Sequence, residues 1–161
     1  MMMNIQLICV GKLKEKFYFD AAAEYKKRLG AFCSLQIIEL PEEKLPSNPS
    51  QAQITAALSK ESAAIRGKLP SNSSIIALCI EGQLYSSEGL ADFLRIWQNG
   101  PAKHLVFLIG GSHGLDAALK NEAQLRLSMS PMTFPHHLAR VMLLEQLYRA
   151  FQINEGSRYH K

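Results

Sequence analysis

Short apolar runs alternate with amphipathic stretches along the whole chain, and this rhythm restricts the possible folds more than any single motif. Ile5-Gln-Leu-Ile-Cys-Val10, Leu35-Gln-Ile-Ile-Glu-Leu40, Ser74-Ile-Ile-Ala-Leu-Cys-Ile80, His104-Leu-Val-Phe-Leu-Ile109 and Leu125-Arg-Leu-Ser-Met129 read as strands. Most are continuously apolar, as strands buried on both faces are. The third is expected to stop at Glu81-Gly82.

Helical patterns fill the intervals. Phe17, Ala21, Tyr25 and Leu29 recur every fourth residue, followed by Gly30. A second helix spans about 50–68, with Ile54, Ala57, Leu58 and Ile65 on its apolar side. Ser87 is placed to cap a third, which carries Leu90, Phe93, Leu94 and Trp97. A short helix is expected near 116–122 and a long one over about 135–154, with Pro135 in its first turn and Thr133 close enough to cap it. Strands alternating with helices predict an α/β fold, a mainly parallel sheet flanked by helices, in one domain over residues 1–161.

Composition narrows the class. Hydrophobic residues at 47% and charged residues at 20% describe an ordinary soluble protein, and 161 residues suffice for a self-sufficient core. No apolar run approaches the roughly 20 residues that span a bilayer. The opening Met1-Met-Met-Asn-Ile lacks a basic segment and a small-residue cleavage site, so a cytoplasmic location is expected. Cys9, Cys33 and Cys79 are odd in number and far apart, which predicts buried free thiols rather than disulfides or a zinc site. His136 and His137 are adjacent and should point apart on a helix, and the other histidines lack metal-ligand spacing. No metal is expected. The net charge of +4 permits a nucleic-acid partner without requiring one.

The last third carries most of the chemistry. The fourth strand runs into Gly110-Gly-Ser-His-Gly-Leu115, where glycine allows positive φ and close ligand approach. The spacing is neither a phosphate loop nor a dinucleotide fingerprint. A loop that takes an adenosine-bearing cofactor against its backbone and a plain tight turn both remain. Ser130-Pro-Met-Thr-Phe-Pro135 is stiffened by two prolines, with amides and carbonyls free for a ligand. It leaves a strand end, as the glycine turn does, so both should share one rim of the sheet.

The final helix is apolar well beyond one stripe, which predicts cover on two sides, by its own sheet and by a second subunit. Glu145 and Arg149 stand four apart in the acid-first order, compatible with a structural ion pair or a catalytic one. Arg158-Tyr-His-Lys161 combines cations, an imidazole and a stacking ring, suited to a phosphate backbone and an unpaired base. A disordered end is the alternative.

The run from Leu127 to Phe151, the turn Ile109–Leu115, the Tyr159-His160 ending and the opening Ile5–Lys14 together resemble the large-subunit ribosomal RNA pseudouridine N3-methyltransferases, small members of the SPOUT class. The likeness covers essentially the whole chain. It implies a homodimer, a C-terminal segment threaded into a trefoil knot, and S-adenosylmethionine bound in a bent form at that knot. By position the cofactor would touch Leu78, the glycine turn at Gly110, Gly111 and Gly114, and the loop Met129, Ser130, Pro131, Met132, Thr133 and Phe134. Members usually carry an acidic pair where this chain has Cys79-Ile80.

The implied reaction transfers a methyl group to N3 of a pseudouridine in the assembled ribosome. Arg149, Tyr159, His160 and Lys161 would orient the target base, with Glu145 holding Arg149 and His160 as candidate base. Arg158, Lys161, Arg140 and His136 are the expected RNA contacts. A non-catalytic RNA- or ribosome-binding module of the same fold, or a SPOUT methyltransferase with another RNA target, are the competing readings.

Overall fold

The protein is described here by a computed structural model covering residues 2–161. Five strands, β1 Met3–Val10, β2 Cys33–Leu40, β3 Ser73–Leu84, β4 His104–Ile109 and β5 Leu125–Ser128, form one sheet in the order β2-β1-β4-β3-β5. Every neighbouring pair is parallel. The connecting helices are α1 Lys16–Leu29, α2 Gln51–Arg66, α3 Ser87–Trp97, α4 Ala117–Glu122 and α5 His136–Asn154.

Strand alternation builds two cores. Ile5, Leu7, Cys9, Leu105, Phe107 and Ile109 face one layer, where they meet Leu29 of α1, Leu94 of α3 and Leu143, Leu144 and Leu147 of α5. Ile8, Val10, Val106 and Leu108 face the other, against Ile65 of α2 and Leu119 of α4. The central strands are buried on both sides, which explains their unbroken apolar sequence.

Several local expectations change. Tyr18, Ala22, Tyr25 and Leu29 form the inward side of α1, whereas Phe17 points to solvent at 65% exposure. The start of the α1 stripe is therefore offset by one residue, at Tyr18 and Ala22, while Tyr25 and Leu29 stand where the every-fourth pattern puts them. Ser86, not Ser87, caps α3 by accepting from the Gly89 amide, and Ser87 Oγ instead donates to Gln146 Oε1 of α5. Ser50 and Gln53 form a reciprocal capping box on α2. Pro135 itself is the N-cap of α5, without a side-chain cap from Thr133.

The largest difference lies in β3, which runs on through Glu81-Gly82 to Leu84. A bulge between Leu78 and Gln83 lets Leu127 pair with both and Leu84 reach Ser128. Gly82 makes this possible, since a Cβ there would lie 2.7 Å from the Arg126 carbonyl oxygen. The final helix does have two flanks, but α1 and α3 of its own chain pack on it. No helix among the described residues is long and apolar enough to cross a membrane.

Candidate active site

Parallel strands end on a common rim, and β3, β4 and β5 are neighbours there. Their exit loops enclose a cleft of about 790 Å³. Leu78, Ile109, Leu127 and Phe134 supply apolar wall, and the glycine turn and the Met129–Pro135 loop supply backbone. That size and mixture suit a small organic ligand. Of the ten positions expected to hold the cofactor, every one but Pro131 lines this cleft.

The glycine turn is shaped by what cannot fit in it. A Cβ on Gly110 would overlap the Gly114 carbonyl, because the turn folds back so tightly that Gly111 and Gly114 form an isolated antiparallel bridge. Gly114 has φ of +79°, the left-handed region glycine tolerates without strain. A Cβ on Gly111 would meet Glu42 Oε1 at 2.6 Å. Glu42 comes from the polar proline-rich stretch after β2, and its Oε1 accepts from the Ser112 amide at 2.7 Å. Burial alone would raise the Glu42 pKa, but the Ser112 amide and hydroxyl and nearby His136 and His113 outweigh it, leaving it below the usual value. The carboxylate thus braces the turn from behind.

The facing loop ties itself. Ser128 Oγ donates to the Ser130 carbonyl at 3.1 Å, and Ser130 Oγ accepts from the Met132 amide at 3.0 Å. At the Cys79-Ile80 departure, burial raises the Cys79 pKa and Glu81 pairs with Lys120 at 2.5 Å. An acidic side chain therefore still stands at the cleft edge, already neutralised by α4.

Two expected RNA contacts are located elsewhere. Arg140 is 3% exposed, donating to Glu39 Oε2 at 2.7 Å and to the Gly11 carbonyl at 3.0 Å. It joins α5 to the ends of β1 and β2 and cannot grip a phosphate from that position. His136 is half-buried and lines the rim cleft. Its ring also lies 4.3 Å from that of His137, so the adjacent histidines converge instead of pointing apart. Among the described residues no group of three or more His, Cys, Asp or Glu is arranged to hold a metal ion.

The tail folds back onto α5. Arg149 donates to Glu145 Oε1 at 2.5 Å from Nη2 and at 3.0 Å from Nε. Tyr159 hydroxyl donates to the same oxygen at 3.3 Å, and its ring stacks under Arg149 at 4.9 Å. Arg149 Nη1 lies 3.2 Å from His160 Nδ1, and Glu88 Oε1 lies 2.7 Å from His160 Nε2. Arginine can only donate and a carboxylate only accept, so Nδ1 is the acceptor and Nε2 carries the proton. Both ring nitrogens are thus engaged by neighbouring side chains. Arg158 and Lys161 remain exposed beyond this cluster.

A second cleft, of about 490 Å³, lies beside Glu145 and includes Tyr85, Ser87, Met142 and Gln146. Leu127 and Met129 line both clefts, so the end of β5 is a shared wall. Sequence reasoning missed Glu42, Glu88 and this second cleft. The contacts that reveal Glu42 and Glu88 join residues 70 and 72 positions apart, which no local pattern signals.

A family model described as "Predicted SPOUT methyltransferase" matches residues 3–160. The chain is 45% identical over 159 residues to the ribosomal RNA large subunit methyltransferase H of Leuconostoc mesenteroides subsp. mesenteroides, covering 99% of this chain and 100% of that protein. Among solved structures, a probable methylase family protein from Haemophilus influenzae Rd KW20 superposes with a TM-score of 0.56 at 15% identity, over 100% of this chain and 72% of that one. The last likeness concerns the fold alone. With glycine turn, bulged β3 and self-tied loop meeting on one rim, and with relatives matched over nearly its full length, the chain belongs to the SPOUT methyltransferase family.

Proposed function

We propose that this protein is an S-adenosylmethionine-dependent methyltransferase of large-subunit ribosomal RNA, acting on N3 of a pseudouridine in the assembled ribosome. The observation that carries the reading is the rim cleft, whose three loops are the ones the family resemblance assigns to the cofactor. The name of the Leuconostoc relative supports the RNA class. The whole chain serves as one methyltransferase domain, working in the cytoplasm as a homodimer with its C-terminal segment knotted. The apolar second cleft along Val141 and Met142 is the surface such a partner subunit would cover.

The residues present fit the cofactor. Leu78 and Phe134 offer an apolar seat for an adenine ring, and the glycine turn lets a ribose or amino-acid tail approach the backbone. When bound, the group supplies a methyl on a sulfonium, which is a good leaving group. The chain's own task is alignment. A base seated beside that methyl would have to yield its N3 proton to solvent water and hold the N3 lone pair in line with the methyl, and this chain's residues would provide that alignment.

Glu145 fixes Arg149, and Arg149 presents its cation to the base carbonyl that gains charge as N3 is deprotonated. Tyr159 stacks and His160 positions Arg149, while Arg158 and Lys161 reach ribosomal phosphate. Calorimetric titration with S-adenosylmethionine, followed by methyl transfer to isolated ribosomes and mass spectrometry of their RNA, tests the reading. Saturable binding and one methylated pseudouridine are expected. Absence of saturable binding would leave the non-catalytic RNA-binding alternative, and a methyl on another nucleotide would redirect the substrate.

A further inference from the structure

We propose that the Lys12–Phe19 segment, which joins β1 to α1 and opens that helix, is a second RNA contact leading an unpaired segment of the substrate towards the cofactor cleft. The proposal rests on the methyltransferase reading, since it concerns how the same RNA is held.

The segment is exposed in a way folding does not require. Phe17 and Phe19 are 65% and 61% exposed, although large aromatic rings usually bury. Lys12, Lys14 and Lys16 are exposed around them. Lys16 pairs with Asp20 on the open surface, and Glu15 lies 3.5 Å from His137, but Lys12 and Lys14 form no ion pair among the described residues. Between Lys12 and Gly30 the chain holds six cations against three acids, a balance of +3 in a protein whose total is +4. Cations interleaved with aromatic rings are what single-stranded nucleic acid needs: phosphates meet the amines and bases stack on the rings.

Position gives the patch its direction. Phe17 and Tyr18 rings are 4.4 Å apart, Tyr18 and His137 6.2 Å, and His137 and His136 4.3 Å. His136 lines the cofactor cleft. A continuous row of rings therefore runs from solvent to that wall. Gly11, at φ of +104°, makes the row possible by folding the chain over the imidazoles, with His136 Nε2 only 3.5 Å from where its Cβ would stand.

A second copy of the chain is a poorer occupant. Two-fold contacts set like patches together, and this one would bring lysines against lysines.

The test uses isolated large ribosomal subunits and the full-length protein. The Lys12→Gln/Lys14→Gln variant should weaken subunit binding about tenfold at moderate salt and reduce the slope of log affinity against log salt by about 2, roughly one for each lost phosphate contact. Phe17→Ala should weaken binding about five- to tenfold without changing that slope. Both should keep wild-type affinity for S-adenosylmethionine and wild-type native mass. Unchanged subunit affinity and slope in both variants would overturn the proposal, and so would a lowered native mass in Phe17→Ala, which would reassign the patch to subunit contact. A wild-type protein that neither binds subunits nor transfers a methyl would instead sink the methyltransferase reading itself.

Discussion

The two halves of the candidate site are made by opposite means. The rim cleft is held by backbone: a turn where Gly110 admits no side chain, a bulge that needs Gly82, and a loop tied by its own serines. The tail cluster is held by side chains, with Glu145, Arg149, Tyr159, His160 and Glu88 linked in one half-exposed network. Tight backbone sets a rigid shape, which suits an invariant cofactor. A network of partly hydrated charges adjusts to its partner, which suits a large RNA. Substitutions that alter the backbone of the first should therefore weaken binding of a small molecule, and those in the second should slow transfer while leaving that binding intact.

The sharpest way to break this contrast is Gly110→Ala. The added methyl collides with the Gly114 carbonyl, and backbone on both sides leaves little room to yield. Affinity for S-adenosylmethionine should fall more than about a hundredfold by calorimetry, since the turn must reopen. Gly111→Ala is the control: its new methyl meets only the end of Glu42, a flexible side chain. Its loss should be about tenfold or less, and adding Glu42→Ala should restore part of it. Equal losses at both glycines would mean that shape is not what the turn contributes.

Glu145→Gln probes the other half. It keeps the size of the side chain but removes the charge that holds the Arg149 guanidinium and accepts from Tyr159. Methyl transfer should drop about 30- to 300-fold in kcat, within the range for a disturbed electrostatic group, with cofactor affinity within about twofold of wild type. A matching loss of cofactor binding would show that the two regions are one.

Legibility in the sequence follows the same division. The sheet was readable because each strand is a local apolar run, and the rim loops because glycine and proline mark strand exits. Glu145 with Arg149 was readable because four residues make one helical turn. Arg140 was misread as an RNA contact for a physical reason: a cation on an apolar helix is equally compatible with solvent and with a buried carboxylate, and Glu39 lies 101 residues away. Only the start of the α1 stripe departs from its pattern, because Phe17 looks like core by composition yet tertiary packing selects Tyr18. Glu42 and Glu88 carry no local signature, since their partners are brought close only by the folded chain.

Arg140→Ala tests a strut that belongs to neither half. It would leave Glu39 without its closest cation while the Leu13 amide still donates to it. Burial pushes the Glu39 pKa up, but the Arg140 hydrogen bond and the Leu13 amide outweigh it and hold the group below its usual 4.5. Loss of the buried partner should cost about 3 kcal/mol, the lower end for such pairs because Glu39 is partly exposed. Tm should fall by about 6–12 °C. RNA affinity measured on the folded protein should keep its salt slope, which a phosphate-binding arginine would not.

The smallest effect concerns His136, an imidazole in the rim wall. Burial first, and then the neighbouring His137, hold the His136 pKa below its ordinary 6.5, against the opposing pull of Glu42 and Glu15 and with a further push from Arg140. The unfolded chain therefore takes up a proton at this position before the folded one does. Stability is constant with respect to this group above about pH 6.5 and declines as pH falls below it, because unfolding then binds the extra proton. Cofactor affinity should weaken only at lower pH, where the folded protein's own His136 takes up a proton, if a charged ring disturbs the wall it shares with the glycine turn. His136→Asn should flatten both profiles between about pH 6.5 and the acid limb where carboxylates such as Glu39 and Glu42, both lowered, begin to protonate. Persistence of the full slope in that variant would place the proton on another group and leave the rim cleft a structure of backbone alone.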